Sequence, residues 1–170
     1  MAADARNIQL GPCQVTYKGV DLGHTIGGVT VTYTPEWHET KVDKYGSSVV
    51  EKFLVGEKLS AEVNLAEFTL SNLQVAINQA TLQGDDSVSV GSVAGKKASV
   101  NGGLLVLHPL AYAAGVRDYD VSIFKAVVTG ELKLEHKNDG EKVLPVMFDG
   151  LIDENRSDGS MLGFIGDSIT

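Results

Sequence analysis

The four histidines and the single cysteine are the residues of this chain with the widest chemical repertoire. His24 lies near Asp21, and His38 lies between Glu36 and Glu39, so each could be read as part of a metal-ligand cluster. Neither histidine has a helical partner histidine four residues away, and no second cysteine exists to complete a zinc site. We therefore expect the histidines to occupy loop or surface positions, and we predict neither a metal nor a cofactor.

The other candidates for catalysis or ligand binding are equally weak. Cys13 would act as a nucleophile only if the fold placed a base beside it. Otherwise it is a small buried residue or an exposed residue without a chemical role. Gly19, Gly23 and the Gly27-Gly28 pair are followed by a strand pattern and not by a Lys-Ser/Thr pair opening a helix. These glycines fit β-turns better than a phosphate-binding loop. The sequence predicts that the protein is not an enzyme.

Most of the chain reads as short β-strands separated by Gly, Asp and Asn. Alternation is cleanest between Leu59 and Leu65, where apolar side chains point one way while Ser60, Glu62 and Asn64 point the other. Pro35 is expected to stop the strand that precedes it. The predicted strands span residues 14–17, 29–34, 49–55, 59–65, 103–107, 121–128, 131–135 and 142–151.

One segment departs from the strand period. Between Thr69 and Gln83 the apolar residues Leu70, Leu73 and Ile77 follow a helical spacing that no Gly or Pro interrupts before residue 84. Thr69 is suited to cap the first amides of a helix. We predict a mainly β domain, a two-sheet β-sandwich or barrel-like fold, with one flanking amphipathic helix over residues 69–83.

Two further segments have unusual composition. Residues 36–48 are hydrophilic and lie between two strand candidates, so they are predicted to form a long loop of the kind that often carries function. Residues 149–170 carry acids at five positions and one base, Arg156, and form an acidic C-terminal segment.

Length and charge limit the function classes. A chain of 170 residues with 43% hydrophobic residues fits a single domain, 1–170, with a real core. A net charge of −8 argues against a protein that binds nucleic acid through its phosphates. Residues 1–10 lack the apolar stretch of a signal peptide, and no stretch is long enough for a membrane span. We expect a chain made in the cytoplasm, with no membrane insertion.

The order of residues from Gly19 to Leu73 resembles the tail tube (major tail) proteins of bacteriophages. The resemblance lies in Asp21-Leu22-Gly23-His24-Thr25-Ile26-Gly27-Gly28-Val29, in Asp43-Lys44-Tyr45-Gly46, in Gly56-Glu57, and in Ala66-Glu67-Phe68-Thr69-Leu70-Ser71-Asn72-Leu73. It covers about a third of the chain closely, and the second half agrees only in being rich in β-structure. The family is also related in fold to the tube proteins of type VI secretion systems.

The resemblance implies a structural virion protein that assembles into stacked hexameric rings and forms the tail tube, through which the genome passes into the host. Its partners would be further copies of itself, the tape-measure protein and the tail-terminator or baseplate proteins, with DNA passing through the lumen without specific binding. The expected location is the virion tail. Two alternatives remain open at this stage: a type VI secretion-like tube protein, and a soluble β-sandwich binding module.

The resemblance and the strand alternation together suggest two sets of site residues. An acidic lumen would repel DNA weakly and let it slide, and the polar strand faces are the candidates to line it: Ser60, Glu62, Asn64, Glu131, Lys133 and Glu135. The same residues could instead form a solvated outer face. Contact between rings is assigned to the loop, which carries aromatic and charged residues: Trp37, His38, Lys41, Asp43, Lys44 and Tyr45.

Overall fold

The computed structural model describes residues 11–84, 86–136, 138 and 140–167. The prediction that residues 1–10 are not a signal peptide therefore lies outside the described part. The described residues form one α-helix, α1 (Leu70–Ala76), and short 3-10 turns at Asp43–Tyr45 and Ala98–Asn101. They also form these strands: β1 Cys13–Tyr17, β2 Val20–Asp21, β3 Thr25–Lys41, β4 Val49–Leu65, β5 Thr81–Gln83, β6 Ser87–Ser89, β7 Gly103–Pro109, β8 Val121–Val128, β9 Leu144–Gly150 and β10 Gly163–Ile165. The mainly β class is confirmed. Within the same ranges, no helix is long and apolar enough to cross a bilayer.

The main sheet is antiparallel and runs β2-β1-β7-β8-β9-β4-β3, with β10 paired to β8. Tyr17 of β1 and Phe148 of β9 have ring centroids 5.0 Å apart, although β7 and β8 separate their strands in the sheet. The sheet must therefore fold over on itself, so that its two halves face each other across one core. This arrangement is sandwich-like, as predicted.

The core lies between these two halves and is mostly aliphatic. On β4 the alternation read from the sequence is confirmed, because Leu59, Ala61, Val63 and Leu65 are buried while Glu62 is exposed. Phe148 of β9 is the largest of the fully buried side chains among the described residues. Burial of such side chains is the main stabilising contribution to the fold.

The helix begins where the sequence predicts and ends earlier. The Thr69 hydroxyl accepts a hydrogen bond from the Asn72 amide at 3.1 Å, which confirms the predicted cap. The prediction that the helix continues to Gln83 is wrong, because the chain is extended at Ile77 and residues 81–83 pair with β6. The Asn78 side chain donates to the carbonyl of Val128 at 2.9 Å, which ties this segment to the sheet instead.

Two predicted interruptions of the β-structure are absent, and the prediction of a loop over residues 36–48 is wrong for residues 36–41, which are strand. β3 continues through Pro35 to Lys41, and β4 continues through Gly56, so that the predicted strands 49–55 and 59–65 are one. Pro35 is tolerated because β3 is the last strand of the sheet and has an edge where no partner requires an amide. The connection between the strands is only residues 42–48.

The predicted strand at residues 131–135 does not form. β8 pairs with β9 only from Phe148 to Gly150, and the segment that follows β8 does not extend this ladder along residues 144–147. It leaves the sheet at Gly130, where an added Cβ would lie 2.7 Å from Cβ of Met147. Leu132 packs against the core, but the alternation of this segment is not that of a paired strand.

Alkaline pH should destabilise the fold through Tyr17. Its hydroxyl donates to the Asn101 carbonyl at 2.7 Å, and burial raises the pKa of Tyr17 to about 12. Because the ordinary pKa of tyrosine is about 10, the stabilisation is complete below pH 10 and is lost as pH rises from 10 to 12. We expect a loss of about 2–3 kcal/mol in the free energy of unfolding. Urea titrations at pH 9 and 11.5 test this, and Tyr17→Phe should flatten the change. Equal pH dependence in both proteins would contradict it.

Candidate assembly surfaces

The β3–β4 hairpin projects from the sheet as a two-stranded arm, here defined as residues 33–57. β3 and β4 pair along their whole lengths, from Thr25↔Leu65 to Lys41↔Val49. β9 pairs with β4 only from Ser60 to Leu65, so the part of the hairpin beyond that point has no third strand. At about 3.4 Å per residue, the arm extends roughly 25–30 Å from the body.

The arm is unusually rich in exposed apolar side chains. None of its residues is buried, and Trp37 and Tyr45 keep 52% and 56% of their surface accessible. The large exposed apolar residues of the arm are Tyr33, Trp37, Val42, Tyr45, Val49, Val50, Phe53, Leu54 and Val55. A contiguous apolar surface of this kind typically marks an interface in a soluble protein.

The strand register divides these residues between two faces. Trp37 and Leu54 are directly opposite each other on the face that continues the core side of β3. His38 and Phe53 are opposite each other on the other face. A β-bulge at Val55, between the pairs Glu36↔Gly56 and Trp37↔Leu54, bends the arm at its midpoint.

Polar cross-strand contacts hold the arm extended. Lys52 and Glu39 form an ion pair at 2.9 Å, which lowers the pKa of the Glu39 carboxyl. Lys58 and Glu36 form a second pair at 2.9 Å, which raises the pKa of the Lys58 ammonium. The hydroxyl of Tyr33 donates to Glu57 at 2.5 Å, and this bond raises the pKa of Tyr33. These groups are exposed, so each contact stabilises the arm only weakly.

The outer edge of β3 is unpaired among the described residues, because β3 is the last strand of the sheet. An edge of this length presents a row of free amides and carbonyls that can pair with another chain. The opposite end of the sheet is β2, which has only two residues. The open edge and the apolar arm thus belong to the same hairpin.

The structure brings three of the predicted lumen residues together. Ser60, Glu62 and Asn64 lie on the face of β4 that points away from the core, beside residues of both neighbouring strands. We call this surface the polar strip and define it by Thr30, Thr32, Ser60, Glu62, Asn64, Met147 and Asp149. Glu62 and Asp149 are its charged members, and Asp149 accepts a hydrogen bond from the Thr129 hydroxyl.

The other three predicted lumen residues do not share a strand with this set. Glu131, Lys133 and Glu135 are exposed on the irregular segment that follows β8. Lys133 and Glu131 pair at 3.5 Å, so they point to the same side. The segment starts beside Met147, which is opposite Glu62, and so it leaves the sheet next to the polar strip.

The six residues predicted to make contacts between rings all lie on the arm. Trp37, His38 and Lys41 belong to β3, whereas Asp43, Lys44 and Tyr45 form the turn at its end, and all six are exposed. Phe53 and Leu54 belong to the same surface and were not among the predicted residues. Their signal was present, since residues 49–55 are apolar on both faces of the strand.

The groups with possible reactive chemistry are separate from these surfaces. Nδ1 of His108 lies 2.6 Å from a carboxylate oxygen of Asp120, and both side chains are largely buried. Cys13 is partly buried, and desolvation raises the pKa of its thiol, which disfavours the reactive thiolate. Among the described residues, no three His, Cys, Asp or Glu side chains are grouped to hold a metal ion.

No protein-family model matches the chain, and no curated protein matches its sequence.

Proposed function

We propose that this protein is a structural subunit that assembles into stacked hexameric rings, forming the tail tube of a bacteriophage, and that the tube is an acidic conduit for genome delivery. The observation that carries the proposal is the arm, which exposes a large apolar surface and contributes no buried residue to its own domain. The role is mechanical, and the expected location is the virion tail after synthesis in the host cytoplasm.

The arm and the open edge favour self-assembly over binding of a small ligand. An exposed β-edge is normally a liability that proteins shorten or cover, and here it runs the length of β3. Pairing with another copy satisfies its hydrogen bonds and removes apolar arm residues from water. When the two contacting surfaces of a subunit differ, repetition of the contact produces a closed ring or a helical filament.

The conduit rests on the resemblance to tail tube proteins together with the polar strip. If each of six subunits gave four strands to a common barrel, about 24 strands spaced about 4.8 Å apart would close at a diameter near 37 Å. Strand tilt widens this bore further, which leaves room for one DNA duplex. The strip offers Glu62 and Asp149 to such a bore, and carboxylates repel phosphates instead of retaining them. Tape-measure and tail-terminator or baseplate proteins would be the additional partners.

Electron microscopy of the purified protein tests the proposal. Negatively stained samples should contain rings or tubes, and light scattering should give a mass that rises with concentration, because assembly follows mass action. A monodisperse monomer at high concentration would contradict the proposal and favour the β-sandwich binding module. Rings alone do not separate a phage tube from a type VI secretion-like tube, and the identity of the neighbouring genes makes that distinction.

A further inference from the structure

An apolar groove lies where the arm joins the body. Its volume is about 420 Å³, and it is formed between the base of the arm and the chain that leads into β10. Tyr33, Leu54 and Val55 line one side, and Ile152, Met161 and Leu162 line the other. Ile152 keeps 55% of its surface exposed, so the groove is open to an incoming side chain.

The chain that forms one wall of this groove is acidic. Residues 151–162 contain Asp153, Glu154 and Asp158 against a single base, Arg156, and Glu57 lines the groove itself. The guanidinium of Arg156 lies 3.6 Å from the ring centroid of Phe124 and pairs with Asp153, so its charge is engaged within the body. Glu154 and Asp158 are exposed. A partner for the groove therefore needs an apolar centre and positive charge around it.

The end of the arm has this composition. We call residues 41–48 the tip, which carries Lys41 and Lys44 against one acid, Asp43. Val42 and Tyr45 supply exposed apolar surface between the lysines, and Nζ of Lys44 lies 5.4 Å from the Tyr45 ring centroid. Tyrosine with neighbouring cations is a common anchor at protein interfaces.

A tip cannot enter the groove of its own molecule. The hydrogen-bonded ladder of β3 and β4 keeps the tip roughly 15 Å from Leu54 and Val55, where the arm meets the groove. The occupant must therefore come from another copy. We propose that the tip of one subunit docks in the acidic groove of the next, with Tyr45 in the groove and Lys41 and Lys44 facing Glu154 and Asp158. This inference rests on the proposed function, because it names the contact through which assembly proceeds.

Disulfide cross-linking tests the contact. Because Cys13 is the only cysteine, Cys13→Ser provides a background without thiols. In that background, Ser47→Cys combined with Ser160→Cys should give a ladder of covalent oligomers on mild oxidation, since each copy links to two neighbours. Ser47 belongs to the tip and Ser160 lies between the groove residues Gly159 and Met161, so the proposed contact residues themselves are retained. An equimolar mixture of the two single-cysteine proteins should give dimers only. Ser47→Cys combined with Val93→Cys, an exposed residue outside the groove, is the control and should give no ladder.

A charge exchange gives a second readout. Lys41→Glu with Lys44→Glu should lower the yield of the ladder, and adding Glu154→Lys with Asp158→Lys should restore it. Absence of the ladder while the parent protein forms rings or tubes would overturn the docking contact and leave the proposed function intact. Dimers formed equally well by Ser47→Cys alone would also overturn it, because they would indicate contact between two tips. A monomeric parent protein would overturn both proposals.

Discussion

Replacing residues 37–55 with an Asn-Gly turn is expected to abolish ring and tube formation while leaving a folded monomer. The cut ends, Glu36 and Gly56, are opposite each other in the strand register, and Asn-Gly is the preferred sequence for a two-residue hairpin turn. The deleted segment contains no buried residue, so the core is untouched. We expect the free energy of unfolding to change by about 1 kcal/mol or less, whereas assembly is lost altogether.

Light scattering and electron microscopy measure the assembly, and urea titration measures the stability. A matched pair of point variants separates the arm from exposed apolar surface in general. Val49→Ala with Val50→Ala should weaken assembly, whereas Val90→Ala with Val93→Ala removes the same atoms from exposed positions outside the arm and should not. Normal tubes formed by the armless protein would refute the proposed role of the arm.

Placing one lysine per subunit on the polar strip is expected to convert a tube that does not bind DNA into one that binds it. Glu62 is exposed on the strip, so Glu62→Lys changes the charge there by two units in every subunit without disturbing the core face of β4. Where six to ten phosphates are neutralised, affinity falls about 10³-fold or more between 50 and 200 mM salt. We expect this salt dependence for the variant tubes and no binding by the parent tubes.

Sedimentation of tubes with labelled duplex DNA across this salt range measures the effect. Asp86→Lys makes the same change of charge at an exposed position in the β5–β6 turn, away from the strip, and serves as the control. Equal DNA binding by the two variants would show that position on the strip is irrelevant. No binding by Glu62→Lys tubes of normal appearance would place the strip outside the bore.

The local alternation of apolar and polar residues predicts side-chain burial correctly where one face of a strand meets the core. The alternation from Leu59 to Leu65 predicted which side chains are buried, because a shift of one residue would expose all of them. Thr69 was correctly assigned as a helix cap, because the bond that it makes lies within its own turn. Such contacts involve only near neighbours in the chain.

The misassignments share a different cause. Pro35 and Gly56 look like stops because both residues weaken strands in general, yet an edge strand tolerates proline, and the bulge beside Gly56 absorbs the irregularity. The helix ends at Ala76 because residues further along bond to distant parts of the chain, as Asn78 does to Val128. The alternating segment that starts at Glu131 does not extend the ladder between β8 and β9, which ends at the pair Val128↔Phe148. None of these outcomes can be read from neighbours in the sequence.

The candidate surfaces show the same difference between features set by local sequence and features set by contacts between distant residues. Trp37 and Tyr45 could be picked out by residue type, and the structure places them on the arm. The groove could not be anticipated, because Tyr33, Leu54 and Ile152 are distant in sequence and meet only after the chain returns to the base of the arm.

The bulge at Val55 has a mechanical consequence. It interrupts the ladder of the arm at the point where the arm meets the groove, and among the described residues no third strand pairs with the part beyond it. A rotation of about 10° at this hinge would swing the far end by roughly 2–3 Å, given a lever of about 15 Å beyond it. In a polymer joined through such levers, small rotations repeated along the axis add up to a bend, so the whole filament can curve while every joint stays closed.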